Sequence, residues 1–139
     1  IKYIVCSKGF AETVTGMKFD YNNPSTLVAI YNKLQNKYPN SVIVVTLEEK
    51  GCLYQVGNEI KIMPGLNVQP VDTTGAGDIF HGAFTYGIAN NFDMEKTITL
   101  SNIAAGLSVT KIGSRLSIPN LSEVLDYYAN KMGKVNDNK

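Results

Sequence analysis

The sequence predicts an α/β sandwich with a small β-hairpin, and three patterns support this fold class. Strand-like and helix-like segments alternate along the 139 residues, which is typical of a sheet covered by helices. Residues 42–47, VIVVTL, form an unbroken and mostly β-branched run, as expected for a central strand of a parallel sheet covered on both faces. Two short apolar runs flank Gly57-Asn58, a pair that favours a hairpin turn.

The first half of the chain predicts its elements in the following order. Residues 3–6 read as a short buried strand, and FAETVTG reads as one or two helical turns ending at Gly16. Asn23 and Pro24 suit the cap and the first position of the next helix. That helix carries an apolar stripe with a period of 3.6 residues: Leu27, Val28, Ile30, Tyr31, Leu34 and Tyr38. The strand at 42–47 and the hairpin strands at 52–56 and 59–63 follow.

The second half predicts three helices. One begins near Asp78, one spans about 94–109, and a final amphipathic helix covers 121–131, opened by Asn120 or Ser122. Small residues in the middle helix, Ala104, Ala105, Gly106 and Ser108, would permit close packing. We expect one domain over residues 1–132 and a disordered tail over 133–139. Because the chain begins directly on a core strand, we also expect it to be part of a longer protein.

Composition gives no support for several classes of partner. Thirteen basic and twelve acidic residues leave a net charge of +1, which gives no reason to expect nucleic acid or an anionic membrane surface. No run of about 18 apolar residues is present, so we expect no membrane span. Cys6 and Cys52 lie far apart and match no metal spacing. They are typical of buried free thiols in a reducing compartment, and we expect a cytoplasmic protein.

Residues 72–78, DTTGAGD, carry the most specific chemistry. Gly75, Ala76 and Gly77 form a small-residue turn into the helix near Asp78. The first N–H groups of a helix have no partner within it and bind phosphates or developing anions. A carboxylate beside such a site is consistent with a base that takes a proton from a hydroxyl attacking a phosphoryl group. Helix capping by Asp78 is an equal alternative on these residues alone.

Several segments together resemble the C-terminal part of the ribokinase (PfkB) family of carbohydrate and nucleoside kinases. DTTGAGD followed by a Phe-containing helix resembles the family's signature. TLEEKG at 46–51 resembles its Thr-Leu-Gly-x-x-Gly nucleotide loop, and SNIAAGLSVTKIG at 101–113 resembles the helix and loop beside the adenine. FAETVTG resembles a further family element. The resemblance implies a Rossmann-like three-layer sandwich of the ribokinase-like fold, here its C-terminal half.

By match of position, the resemblance also implies roles for individual residues. Asp78 would be the catalytic base, and Gly75, Ala76 and Gly77 would form the anion hole. Five residues would contact ATP, which is expected to carry Mg²⁺: Thr46, Glu48, Gly51, Gly77 and Asn102. Where family members use K⁺, the matching ligands here would be Asp72, Thr74, Ser108, Lys111, Gly113 and Ser117.

Two departures from the family pattern stand out. The Asn-x-x-Glu motif that organises Mg²⁺ should fall at 7–10, where this chain has Ser7, Lys8, Gly9 and Phe10. The ketohexokinase-like branch also has Ser-Lys at this point. The Gly of Thr-Leu-Gly is Glu48, which adds negative charge close to phosphates.

The resulting expectation is an ATP-dependent phosphotransferase acting on a small sugar, present as its nucleotide-binding and catalytic-base half. We expect this chain alone to be nearly inactive and the whole protein to be a homodimer. The alternatives are a regulatory homologue that binds nucleotide or sugar without turnover, and an anion-binding structural domain. His81 faces either the substrate side or a neighbouring loop. Lys111 and Arg115 either steer phosphates or are solvated surface charges.

Overall fold

A computed structural model describes residues 2–111 and 119–137, and for 133–137 it describes the backbone only. The chain divides into two compact units, Ile1–Pro64 and Gly65–Lys139, where the sequence predicted one domain. Within the described residues, no helix has the length and apolar character needed to cross a membrane.

The first unit is built on a four-stranded sheet with the order β1-β2-β3-β4. Its strands are β1 (Lys2–Ser7), β2 (Ser41–Thr46), β3 (Cys52–Val56) and β4 (Glu59–Met63). β1 and β2 are parallel, whereas β2–β3 and β3–β4 are antiparallel. The predicted hairpin at Gly57-Asn58 is confirmed. β2 lies between two neighbours and buries three successive residues, Ile43, Val44 and Val45, so both of its faces are covered, as its sequence predicted.

The end of the first helix and the start of the second are where the sequence predicted, whereas the first helix begins at Lys8, two residues before the predicted Phe10, and the second ends at Lys37, before Tyr38. α1 (Lys8–Thr15) ends at Gly16, whose φ of 69° is left-handed and whose N–H donates to the Glu12 carbonyl at 2.9 Å. α2 (Pro24–Lys37) has Asn23 at its cap and proline at its first position. The buried stripe of α2 packs into the core of this unit: Leu27, Ile30, Tyr31 and Leu34.

The second unit contains three helices: α3 (Ala76–Ala89), α4 (Met94–Ser108) and α5 (Leu121–Asp137). α3 begins two residues before Asp78, because Gly75 takes the capping position with a left-handed φ of 79°. Asn120 opens α5, since its Oδ1 accepts the Glu123 N–H at 2.9 Å. α5 runs six residues beyond the predicted end at 131, so its backbone is helical through most of the segment predicted as a disordered tail.

Glycines set how closely the segments of the second unit pack. A Cβ on Gly87 of α3 would lie 2.7 Å from both Cγ2 and Oγ1 of Thr97 on α4. A Cβ on Gly106 of α4 would lie 2.6 Å from Leu66 Cγ. Since real Cβ atoms do not approach other atoms this closely, the α3 backbone at Gly87 packs directly against the Thr97 side chain, and the α4 backbone at Gly106 packs directly against Leu66. The second contact is the close packing that the run of small residues in α4 predicted.

Candidate active site

The connection between β2 and β3 forms a tight loop at the carboxyl end of β2. Its 3-10 turn, Glu48–Lys50, is closed by the Leu47 N–H donating to the Gly51 carbonyl at 2.8 Å. Two residues of the loop have left-handed backbone angles, Glu48 at φ 57° and Gly51 at φ 98°. The predicted nucleotide contacts thus lie close together in the sequence: Thr46 ends β2, and Glu48 and Gly51 belong to the loop.

Left-handed φ explains the glycine that the resembling family has at position 48. A left-handed residue with a Cβ costs roughly 1–2 kcal/mol relative to the right-handed form, and glycine avoids that cost. This chain keeps the conformation with a glutamate, whose side chain is exposed. Glu48 thus adopts an angle that favours glycine and adds a carboxylate to the loop.

Three side chains meet beside this loop and are called here the lysine–tyrosine cluster: Lys8, Tyr21 and Lys50. The Tyr21 ring has Lys8 Nζ 5.8 Å and Lys50 Nζ 5.4 Å from its centroid, within the range of cation–π attraction. Burial raises the pKa of the Tyr21 hydroxyl, and the negative charges of Glu49, Glu48 and Glu12 raise this pKa further. Cationic and anionic groups are thus both close to this ring.

The segment that departs from Asn-x-x-Glu has a structural role of its own. Ser7 caps α1, because its Oγ accepts the Phe10 N–H at 3.1 Å. Phe10 is 44% exposed and has no polar side-chain atom. A serine directly before a helix is a recognised cap signal, so the sequence itself carries a signal for this role. The segment offers no carboxylate to a metal ion.

The DTTGAGD turn brings free backbone donors and a carboxylate to one helix end. The Thr74 N–H donates to Asp72 Oδ1 at 2.9 Å, and the Ala76 N–H donates to the Thr73 carbonyl at 3.3 Å. The Ile79 N–H donates to the Gly75 carbonyl at 3.0 Å, which leaves the N–H groups of Gly77 and Asp78 between them without a bond to another described residue. A Cβ on Gly77 would meet nothing within 4 Å, so a ligand can approach the backbone there.

Asp78 lies at the third position of α3 and is exposed. The capping position belongs to Gly75, and no side chain caps this helix. The alternative that Asp78 serves as the cap is therefore wrong for this structure. His81 and Gly82, one turn later, are also exposed, so the face of α3 that carries Asp78 is open along its first two turns.

The segment before the DTTGAGD turn is hydrogen-bonded to the end of α4. The N–H groups of Val71 and Asp72 both donate to the Val109 carbonyl, at 2.6 and 3.1 Å. Asp72 and Thr74 are thereby brought beside the stretch that carries Ser108 and Lys111. Residue-type patterns could not predict this contact, because the acceptor is a backbone oxygen.

The remaining predicted ligands are placed as follows. Ser108 is 1% exposed, and its hydroxyl donates to the Ala105 carbonyl at 2.7 Å, so the hydroxyl proton is already used within α4. The Lys111 ammonium forms an ion pair with Glu123 at 3.4 Å on the surface. Asn102 lies in α4 and is 6% exposed. Gly113, Arg115 and Ser117 lie outside the described residues.

Metal-binding side chains are sparse. Within residues 2–111 and 119–137, no group of three or more His, Cys, Asp or Glu side chains is placed to hold a metal ion. Mg²⁺ carried with a nucleotide would thus have few protein ligands among these residues. Cys6 and Cys52 are free and buried, as the sequence predicted.

Comparison with protein families identifies one match. The model of the pfkB family carbohydrate kinases matches residues 1–121. The curated ribokinase of Lactococcus lactis is 39% identical over 92 residues, which are 66% of this chain and 30% of that enzyme. The chain therefore matches about a third of the length of this relative.

Solved structures agree in fold over nearly the whole chain. A protein from Agrobacterium tumefaciens superimposes with a TM-score of 0.81 at 28% identity, covering 95% of this chain and 42% of that one. Ribokinase from Cryptococcus neoformans, solved in complex with ADP, gives a TM-score of 0.80 at 25% identity and covers 91% of this chain and 44% of that one.

Proposed function

Because the chain belongs to the pfkB family of carbohydrate kinases and has the ribokinase-like α/β fold, we propose that it supplies the nucleotide-binding and catalytic-base part of an ATP-dependent sugar kinase. The substrate class is a small sugar with a free hydroxyl. The ribokinase relative supports this class, and the ADP complex of a structural neighbour supports the nucleotide.

One observation carries the proposal: the first turn of α3 joins unbonded backbone donors to an exposed carboxylate. The Gly77 and Asp78 N–H groups follow a left-handed Gly75. Backbone donors of this kind bind phosphoryl oxygens. The Asp78 carboxylate is on the same turn and free of a capping role.

The proposed mechanism divides the work between side chain and backbone. Asp78 accepts the proton of the sugar hydroxyl as its oxygen attacks the transferring phosphoryl group, and ADP leaves. A base of this kind contributes about 10²–10⁴-fold to the rate. The N–H groups of the turn stabilise the charge on the phosphoryl oxygens, and loss of one such donor costs on the order of 10²–10³-fold.

The nucleotide contacts are proposed on two separate elements. Thr46 at the end of β2 precedes Glu48 and Gly51 on the β2–β3 loop, whereas Asn102 lies on α4. ATP is expected to bring Mg²⁺, which would neutralise part of the phosphate charge when bound. A monovalent cation such as K⁺ would take oxygens of Asp72, Thr74 and Ser108, since hard oxygen donors suit such an ion.

The decisive experiment substitutes Asp78→Asn in the protein as its cell produces it. We expect ATP-dependent phosphorylation of the preferred sugar to fall by at least about 10²-fold, with the Kd for ATP changed less than about threefold. A panel of pentoses and hexoses identifies the substrate by coupled ADP release.

Asp93→Asn provides the matched control. Asp93 is also an acid at a helix start, where its Oδ1 accepts the Lys96 N–H at 2.7 Å. Asparagine keeps an Oδ1 acceptor and caps a helix about as well as aspartate, so this substitution should change stability little and leave turnover unchanged. If Asp78→Asn behaves like Asp93→Asn, the base assignment is wrong. If the unaltered protein binds ATP or sugar tightly but turns neither over, the regulatory alternative is correct instead.

A further inference from the structure

The lysine–tyrosine cluster lies at the carboxyl edge of the two parallel strands. Lys8 follows the last residue of β1, and Lys50 is on the loop that follows β2. The register pairs Ser7 with Thr46, and the Thr46 hydroxyl donates to the Cys6 carbonyl at 3.3 Å, so the two strand ends are fixed side by side. In α/β sheets, ligands bind outside the carboxyl ends of the strands.

The two ammonium groups of the cluster are held without direct neutralisation. Among the described residues, neither Lys8 nor Lys50 forms an ion pair with a carboxylate; the pairs found there are Lys18–Glu12, Lys61–Glu59 and Lys111–Glu123. The Tyr21 ring restrains both lysines, which lowers the entropy cost of using them to bind a ligand.

We propose that Lys8 and Lys50, positioned by the Tyr21 ring, bind the polyphosphate chain of the nucleotide at the carboxyl edge of β1 and β2. This assignment rests on the proposed function, because it requires a nucleotide at the β2–β3 loop. Two cations at one strand edge provide the charge that a polyphosphate needs. Three carboxylates that lie close to Tyr21, those of Glu49, Glu48 and Glu12, act against this binding by charge repulsion.

The test measures binding of ATP, inorganic tripolyphosphate and adenosine to the full chain by titration calorimetry. Lys8→Met and Lys50→Met should each weaken ATP and tripolyphosphate binding by about tenfold, as expected for a charge-assisted contact, and leave adenosine binding unchanged. Glu49→Gln should tighten both phosphate ligands by about two- to threefold, an effect that a purely structural role would not produce. All of these effects should shrink as ionic strength rises.

Lys37→Met is the matched control, because Lys37 ends α2 just before the amino end of β2, at the opposite edge of the sheet. Its loss should change no Kd. If Lys8→Met and Lys50→Met bind ATP and tripolyphosphate as the parent chain does, this inference is wrong and the proposed kinase function is untouched. If the parent chain itself binds no ATP, the nucleotide proposal fails and this inference fails with it.

Discussion

Glu48 shows how a single backbone angle constrains a site residue. Among the described non-glycine residues, only Glu48 and Asn91 have a left-handed φ, at 57° and 58°. Asparagine tolerates this region because its side chain bonds locally, whereas glutamate does not. The loop is therefore kept in shape by its surroundings, including the Leu47–Gly51 hydrogen bond.

Replacing Glu48 by glycine should stabilise the chain. Glycine removes the steric cost of the left-handed angle, roughly 1–2 kcal/mol. The added freedom of the unfolded chain offsets about 0.5–1 kcal/mol of this gain. We therefore expect the free energy of unfolding, measured in urea, to rise by about 0.5 kcal/mol. Glu49→Gly is the control: its φ is not left-handed, so it should lose about 0.5–1 kcal/mol. Equal effects of the two substitutions would show that the angle at Glu48 costs nothing.

For DTTGAGD, the sequence indicated which residues carry the chemistry, but it did not fix where Asp78 lies within the helix. Asp78 appeared as either cap or base, because the start of α3 is set by the left-handed Gly75 and helix ends are weakly encoded. The contact of Val71 and Asp72 with the Val109 carbonyl could not be predicted from residue types, since any residue can provide a backbone oxygen.

At the contact between α3 and α4, the position of a glycine decides how closely the two helices pack. Gly87 is buried against Thr97, which is itself 0% exposed. Gly82, five residues earlier in α3, is exposed and a Cβ there would meet nothing within 4 Å. One helix thus has a glycine required by packing and another that packing does not require.

The two glycines predict opposite effects of the same substitution. Gly87→Ala should destabilise the chain by about 1–3 kcal/mol, because its methyl group overlaps Thr97. Gly82→Ala should stabilise it by about 0.5–1 kcal/mol, because alanine is the better helix former. Urea unfolding of both variants against the parent measures the difference, and a destabilising Gly82→Ala would contradict the open space seen at that position.

Element types followed from the sequence more reliably than element limits. The hairpin, the buried β2 and the caps at Gly16 and Asn120 rest on strong local signals and are confirmed. The additional length of α5 was not predicted, since the polar residues after 131 lack the apolar period that marks a packed helix. Polarity alone does not end a helix.

At the scale of the whole chain, both thiols belong to the first unit, Ile1–Pro64. Burial raises the pKa of Cys6 from 9.0 to about 11 and that of Cys52 from 9.0 to about 12. Each thiol is therefore kept in its neutral form by the fold. Thiol chemistry consequently reports on this unit and not on the unit that carries Asp78.

The raised thiol pKa values predict a loss of stability at alkaline pH. Well below pH 9 both thiols are neutral, folded or unfolded. As the pH rises through 9 towards 11, the thiols of the unfolded chain ionise first, so the unfolded state is favoured. The free energy of unfolding should thus be level up to pH 8 and fall above 9, measured by urea unfolding and by thiol labelling. The Cys6→Ala/Cys52→Ala variant should show a shallower fall, and an unchanged slope would exclude the thiols as its cause.

The Val109 carbonyl has a consequence for how an ion could be coordinated. A carbonyl oxygen has two lone pairs, and the Val71 and Asp72 amides use both of those on Val109. Among the described residues, the Ser108 carbonyl accepts one N–H, from Lys111 at 3.4 Å, so none of them uses its second lone pair. A cation bound at this end of α4 would therefore find a helix-derived ligand more readily at Ser108 than at Val109, and oxygens from other segments would complete its coordination shell.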